Sequence, residues 1–283
     1  MKRLAIFLFG ICLLASCDEI EEARTLPKEF SIGDITDISE LTYDELENLV
    51  INSNYYDPVY QKDEMRRNGG LIIKGQVTLG IGEAYSDARL WFSTRESDLP
   101  TSNSDMWNGN YAGALTASAN TPYFFQNNQQ LTESGNAPTY YYKLGLSTWD
   151  KEYPGFVDNC LDGGYYSQTV FSSVKTYTRP DVPCLFECMM GGEVEIIASF
   201  SVKSNHLITE GGICYSRTNQ LPTIKDEVEY YDNGIDQNWK EGRIYINAYP
   251  GEAGTYYVRA FASSGTAISY SPVWKVTTYN KSL

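Results

Sequence analysis

Apolar and polar positions alternate with period two along most of the chain, the pattern of strands that bury one face. Thr255–Ser263, Thr-Tyr-Tyr-Val-Arg-Ala-Phe-Ala-Ser, reads as one long strand. Tyr, Val and Phe suit a pleated, half-buried surface, and Pro250, Gly251 and Gly254 mark a turn just before it. Further strands are predicted at Ala88–Thr94, Thr139–Ser147 and Val170–Thr178, with Leu71–Leu79 as an opening strand pair. Cys184–Met189, Glu193–Val202, Glu210–Ser216, Gly242–Ala248 and Tyr270–Thr278 complete the set. The C-terminal part thus holds six or seven strands in about 100 residues, a density that suits a sandwich.

Three blocks recur in one order. Thr139-Tyr140-Tyr141-Tyr142-Lys143-Leu144-Gly145-Leu146-Ser147 aligns without a gap on Thr255–Ser263, with Lys143 where Arg259 stands. Leu90-Trp91-Phe92-Ser93 with Leu99-Pro100-Thr101 returns as Ile213-Cys214-Tyr215-Ser216 with Leu221-Pro222-Thr223. Val174-Lys175-Thr176-Tyr177 returns as Val276-Thr277-Thr278-Tyr279. These blocks predict two copies of one β domain.

The N-terminus reads differently. Met1-Lys2-Arg3 is a basic start, and Leu4–Leu14 is an apolar run too short for a permanent membrane-spanning helix. It ends in Leu14-Ala15-Ser16-Cys17, which resembles the lipobox of bacterial lipoproteins and by that resemblance makes Cys17 the first mature, lipidated residue. Asp18-Glu19-Ile20-Glu21-Glu22 follows at once and resembles the surface-export signal of some Gram-negative lipoproteins. The expected address is therefore the outer membrane, lipid-anchored and facing the cell exterior. Between Asp18 and Asn68 stand 14 acidic and 5 basic residues, so this stretch is expected to extend as a spacer. One piece is predicted helical: Thr42 caps Tyr43–Ile51, and Glu45 completes a capping box. Its apolar face of Leu46, Leu49 and Val50 is expected to dock on the first β domain.

The expected division is a lipoprotein signal peptide over 1–16 and an acidic tether with a short helix over 17–68. A β domain with inserted loops over 69–179 and a second β domain over 180–283 follow. Arg179-Pro180-Asp181-Val182-Pro183 forms the linker, because prolines so close cannot sit inside a sheet. Gly211-Gly212-Ile213-Cys214-Tyr215-Ser216, Leu221-Pro222-Thr223 and Pro250-Gly251…Gly254-Thr255-Tyr256-Tyr257-Val258-Arg259-Ala260 resemble the fibronectin type III-like modules of Gram-negative surface lipoproteins. The resemblance covers Cys184–Tyr279 and is weaker in the first copy, where Arg89-Leu90-Trp91 replaces Gly-Ile-Cys. It implies an all-β protein of two tandem fibronectin type III-like (immunoglobulin-like) β-sandwich domains. It also implies that Tyr256 or Tyr257 is a corner tyrosine whose hydroxyl bonds nearby backbone.

Charge narrows the partners. A formal net charge of −14 excludes a nucleic-acid binder, which needs clustered Lys and Arg. The single histidine, His206, leaves no triad and no zinc motif to assemble, and no pair of carboxylates stands out for hydrolysis. The expectation is a protein that is not an enzyme and carries no cofactor and no metal. Asp150, Asp158 and Asp162 match no calcium loop. Cys160, Cys184, Cys188 and Cys214 allow three full disulfide pairings, among which sequence does not choose. Cys184 and Cys188 would share one strand face roughly 13 Å apart, too far for a mutual bond.

The first copy departs from the second by insertion. Between its last two strands it spends Thr148–Tyr166 where the second spends Ser264–Ser269. Trp149, Tyr153, Phe156, Tyr165 and Tyr166 stand there among Asp150, Asp158, Asn159 and Asp162, and Trp107 belongs to a second aromatic stretch. Aromatic faces beside carboxylates and amides suit sugar rings, so these six residues are the candidate ligand contacts. A loop of that length is functional, or its aromatics fold back as a satellite core. The expected partners are the membrane, through the lipid anchor, and a glycan or an outer-membrane protein. The alternative function is a structural or adhesive subunit of an outer-membrane complex.

Overall fold

A computed structural model describes residues 29–49, 58–78, 83–101, 111–114, 121–125, 139–150, 169–232, 239–265 and 267–280. The protein is all-β, with antiparallel sheets and few helices. The strands of its first half are β1 (Glu29–Asp37), β2 (Leu71–Thr78), β3 (Glu83–Ser93), β4 (Tyr111–Ala114), β5 (Thr121–Phe125), β6 (Thr139–Asp150), β7 (Thr169–Phe171) and β8 (Lys175–Thr178). Those of the second half are β9 (Cys184–Gly191), β10 (Ile196–Lys203), β11 (Glu210–Ser216), β12 (Glu227–Tyr230), β13 (Glu241–Ala248), β14 (Gly254–Ser263), β15 (Ile268–Tyr270) and β16 (Trp274–Thr278). Helices α1 (Tyr43–Glu47) and α2 (Pro58–Asn68) lie between β1 and β2. The chain forms two compact units, one of residues 1–33, 74–121 and 141–176, the other of 34–73, 122–140 and 177–283.

The second unit contains a sandwich of two sheets, β13-β10-β9 and β12-β11-β14, with β15 and β16 both paired to β14. Alternation explains the layers. Along β13, Ile244 and Ile246 are buried while Arg243 and Tyr245 face out, and Ile196, Ala198 and Phe200 of β10 face the same way as the two isoleucines. These side chains meet Ile213 and Tyr215 of β11 and Tyr256, Val258 and Ala260 of β14 in one apolar core. At about 25 cal/mol per Å² of apolar surface removed from water, such a core is the main stabilising term.

In the first half the sheets run β1-β2-β5 and β4-β3-β6-β7, with β8 paired to β6. The repeat is visible in the register. Leu90 faces Leu144, Trp91 faces Lys143 and Phe92 faces Tyr142, as Ile213 faces Ala260, Cys214 faces Arg259 and Tyr215 faces Val258. Gly145 faces Phe171 as Phe261 faces Tyr270. Details repeat as well. Ser172 Oγ accepts from Leu144 N at 3.0 Å and donates to Ser173 O at 2.8 Å. Ser271 Oγ accepts from Ala260 N at 3.0 Å and donates to Pro272 O at 2.9 Å.

The stretch expected as a spacer is structured over 29–49 and 58–68. Glu29–Asp37 is a strand, and the residues after it belong to the second unit. Thr42 caps α1 with both halves of the capping box, its Oγ1 accepting from Glu45 N at 3.2 Å while Glu45 Oε2 accepts from Thr42 N at 2.8 Å. The helix stops at Glu47, short of the expected Ile51. Ile38, Leu46, Met65 and Ile72 form a small core. Tyr43 lies 5.8 Å from the Tyr257 ring of β14, and Asp44 exchanges two hydrogen bonds with Gln220. The helix therefore docks within the second unit, not on the first β domain as expected. Apolar anchoring outweighs the self-repulsion that the charge count suggested. Residues 1–28, including Cys17 and the acidic run after it, lie outside the described residues. Among the described residues no helix is long and apolar enough to cross a membrane.

Cys184 and Cys188 also differ from expectation. Glu187 has φ 52°, and β9 slips register against β10 between Ser199 and Ser201. This bulge places Cys188 in the core beside Leu185, while Cys184 is buried outside that core. Cys188 and Cys214 are buried free thiols, and Cys160 lies outside the described residues.

Candidate functional site

Of the candidate ligand contacts, Tyr153, Phe156, Tyr165, Tyr166 and Trp107 lie outside the described residues. Trp149 is described in its backbone alone: it sits near the end of β6 opposite Ala84, so it belongs to a strand and not to the loop assigned to it. Residues 151–168, which join β6 to β7, lie outside the described residues, and β14 and β15 of the second copy are joined by 264–267. Asp150 is likewise the last strand residue, opposite Glu83.

A site that the sequence reading missed lies in the second unit. It is a cleft of about 480 Å³, and its lining includes Asp37, Glu40, Tyr177, Arg179, Ser269 and Tyr270, with Arg259 and Cys184 deeper in the wall. That volume is within the range of small-molecule sites, about 300–1,000 Å³. Several separate stretches build it. Asp37 ends β1 and caps the turn Ile38–Glu40, its Oδ1 accepting from Ser39 N at 2.9 Å. Gly69 and Gly70 follow α2, and Gly69 at φ 72° takes a turn that side chains resist. Tyr177 and Arg179 come from the end of β8 and the linker, and Ser269 and Tyr270 from β15.

The two arginines have different employment. Arg259 donates from Nε to Ser271 O at 2.8 Å and from Nη2 to Ser39 O at 2.7 Å, with its Cζ 4.6 Å from the Tyr270 ring centroid. Burial lowers its affinity for the proton. Arg179 donates from Nη2 to Cys184 Sγ at 2.9 Å. Burial works against its charge, but Cys184 and Asp37 hold the guanidinium above its ordinary range. Arg179 Nη1 and Ser269 Oγ are buried without a hydrogen-bond partner among the described residues. Burial pushes the Tyr177 hydroxyl up to about 12, and Asp37 and Glu40 add to the effect. Tyr270 is raised too, again chiefly by burial, although its hydroxyl accepts from Ile224 N at 3.3 Å.

These groups can hold and orient a polar molecule. Among the described residues no cluster of His, Cys, Asp and Glu could bind a metal ion. His206 is exposed and pairs through Nε2 with Asp181 Oδ2 at 2.9 Å. That bond, with another from Asn205, lowers the Asp181 carboxyl and pins the linker. No sequence period marks the cleft, because its residues come from strand ends and turns.

No family model matches the chain, and no curated protein matches it. Among solved structures the chain is similar to red sea bream transglutaminase, with a TM-score of 0.25 and 10% identity over 76% of this chain. The match spans 29% of the transglutaminase chain, under a third of its length. Because the structure it is similar to is an enzyme, the expectation that the protein is not one is withdrawn. At this TM-score the likeness carries no argument for any particular activity.

Proposed function

We propose that the protein is a cell-surface lipoprotein, anchored in the outer membrane through acylated Cys17, that binds an extracellular carbohydrate through the aromatic residues around the β6–β7 hairpin. The observation that carries this reading is the shared register of the two copies. Because Leu90–Phe92 and Ile213–Tyr215 face their partner strands in the same way, the longer β6–β7 connection is an addition at a hairpin tip. Additions at hairpin tips change what a scaffold binds without changing how it folds. Trp149, Tyr153, Phe156, Tyr165 and Tyr166 are the proposed contacts, stacking on sugar faces while the neighbouring carboxylates accept hydrogen bonds from hydroxyls. Trp107 belongs to the β3–β4 connection, which leaves the sheet at the opposite end of β3, and is not one of them.

The module type belongs to the same proposal. Three strands in the order β13-β10-β9 against β12-β11-β14 suit a fibronectin type III-like sandwich. So does Tyr256, whose hydroxyl donates to Glu252 O at 2.6 Å as a corner tyrosine would. The test is a glycan binding screen of the full-length protein alongside the Trp149→Ala, Tyr153→Ala double variant. Saturable binding that the folded variant loses supports the reading, and a negative result across neutral and acidic polysaccharides removes it.

One observation favours the second reading, a subunit of an outer-membrane protein complex. On the outer face of the three-stranded sheet, Met189 and Tyr245 flank Ser199 in one row and are 51% and 64% exposed. Ile197, 48% exposed, stands two residues along the same strand. Apolar side chains grouped on a sheet face suit a protein partner. Crosslinking on intact cells that recovers one stoichiometric partner, unaffected by added sugars, would favour it.

A further inference from the structure

We propose that the cleft between the Asp37–Glu40 turn, the Tyr177–Arg179 segment and β15 is a second ligand site, one that takes a neutral saccharide of one or two rings. This goes beyond the hairpin reading and does not depend on it. The cleft holds about 480 Å³, room for a molecule of that size. Its formal charges balance, Arg179 and Arg259 against Asp37 and Glu40, so the wall carries no net charge that favours an anion over a cation. Arg259 is already committed to two backbone carbonyls at 2.7 and 2.8 Å and is closed to an acidic ligand.

What remains suits hydroxyl groups. Glu40 is exposed and makes no hydrogen bond or ion pair among the described residues, so its carboxylate is an open acceptor. The Tyr177 hydroxyl keeps its proton through the physiological range and can donate one bond and accept another. The tyrosine rings supply apolar surface of the kind sugar faces cover. A purely apolar ligand would leave all these polar groups dry.

The test is calorimetric titration of the full-length protein, kept in a sugar-free detergent, with glucose, galactose, mannose, N-acetylglucosamine, maltose and cellobiose. Glucuronate and glucosamine serve as charged probes. The proteins compared are the parent, the Glu40→Gln single variant, the Glu40→Gln, Tyr177→Phe double variant and the Trp149→Ala, Tyr153→Ala hairpin variant. The expected result is saturable binding of at least one neutral sugar, weakened at least tenfold in the double variant and unchanged in the hairpin variant. The single variant, which removes charge from an exposed side chain, should lose part of that affinity with its melting temperature unchanged. Three results overturn the proposal. One is no binding of any neutral sugar. Another is tighter binding of glucuronate or glucosamine than of glucose. The third is binding lost in the hairpin variant but kept in both cleft variants, which would leave the hairpin reading standing.

Discussion

Replacing Arg259 by lysine tests how the sandwich of the second unit holds the segment before β2. The first copy already uses lysine here: Lys143 Nζ donates to Pro100 O at 2.8 Å and lies 4.9 Å from the Phe171 ring centroid. In the Arg259→Lys variant the new ammonium can copy that arrangement toward Pro222, which Arg259 Nη1 now reaches only at 3.5 Å. It cannot also reach Ser271 O and Ser39 O, because an ammonium lacks the planar fork of a guanidinium. Each hydrogen bond from a charged group contributes about 1.5–3 kcal/mol. Two are lost and one is partly regained, so the substitution costs about 2–4 kcal/mol. For a unit of this size that lowers the melting temperature by roughly 5–15 °C.

The bond to Ser39 gives a local readout. Its loss alone predicts amide exchange about 10- to 150-fold faster in 38–49, with smaller changes in the β10–β13 pair. Denaturant unfolding followed by tryptophan fluorescence and hydrogen exchange read by mass spectrometry measure the two effects. A cost below about 0.5 kcal/mol, or exchange in 38–49 that does not change, would refute the reasoning, because such effects belong to surface sites with no buried partner.

Other outcomes follow from the same geometry. Tyr256→Phe keeps the buried ring and loses only the bond to Glu252 O, which predicts a loss of about 0.5–1.5 kcal/mol by denaturant unfolding. Gly212→Ala brings a methyl within 2.2 Å of Glu229 O and 2.9 Å of the Phe261 ring. The backbone of β12 cannot yield cheaply, so a loss of about 1–3 kcal/mol is expected, with faster exchange in β12. Alkaline pH destabilises the second unit in order. Burial raises Cys214 to about 12 from 9, and raises Tyr177 and Tyr215 to about 12 from 10. Raised folded-state values mean the neutral form is favoured. The Cys214 contribution is complete below pH 9 and the tyrosine contributions below pH 10, and all fall away as pH rises to about 12. Burial raises Cys188 in the same core from the same starting range, so Cys214→Ala should make the decline between about pH 9 and 10 shallower without moving its onset, and an unchanged slope would count against the Cys214 assignment.

The strands and the repeat were legible because they rest on local chemistry. Tyr, Val and Phe at alternate positions mark β14, and the identical Thr-Tyr-Tyr opening marks β6, so the paired registers follow from aligned residues. Thr42 and Glu45 were legible for the same reason, since a capping box lies within one turn. The order of 29–49 and 58–68 was not legible. The acidic count describes a solvated chain, while that order comes from Ile38, Leu46, Met65 and Ile72 meeting across sequence and from Tyr43 reaching β14. The cysteine geometry failed through one residue. Glu187 at φ 52° inserts a bulge, and a single insertion reverses which face every later side chain takes. The cleft was hidden because Asp37, Tyr177, Arg179 and Ser269 are far apart in sequence and follow no period. The hairpin aromatics were legible as a composition, Trp149 excepted in that it belongs to β6 itself.

Carbohydrate binding through the β6–β7 hairpin is tested most directly by titrating the strongest glycan from the screen into the full-length protein and into the Trp149→Ala, Tyr153→Ala variant. The expected result is saturable binding to the parent, at least tenfold weaker in a variant whose melting temperature is unchanged. Equal affinity in the two proteins, or no saturable binding to the parent, would contradict it.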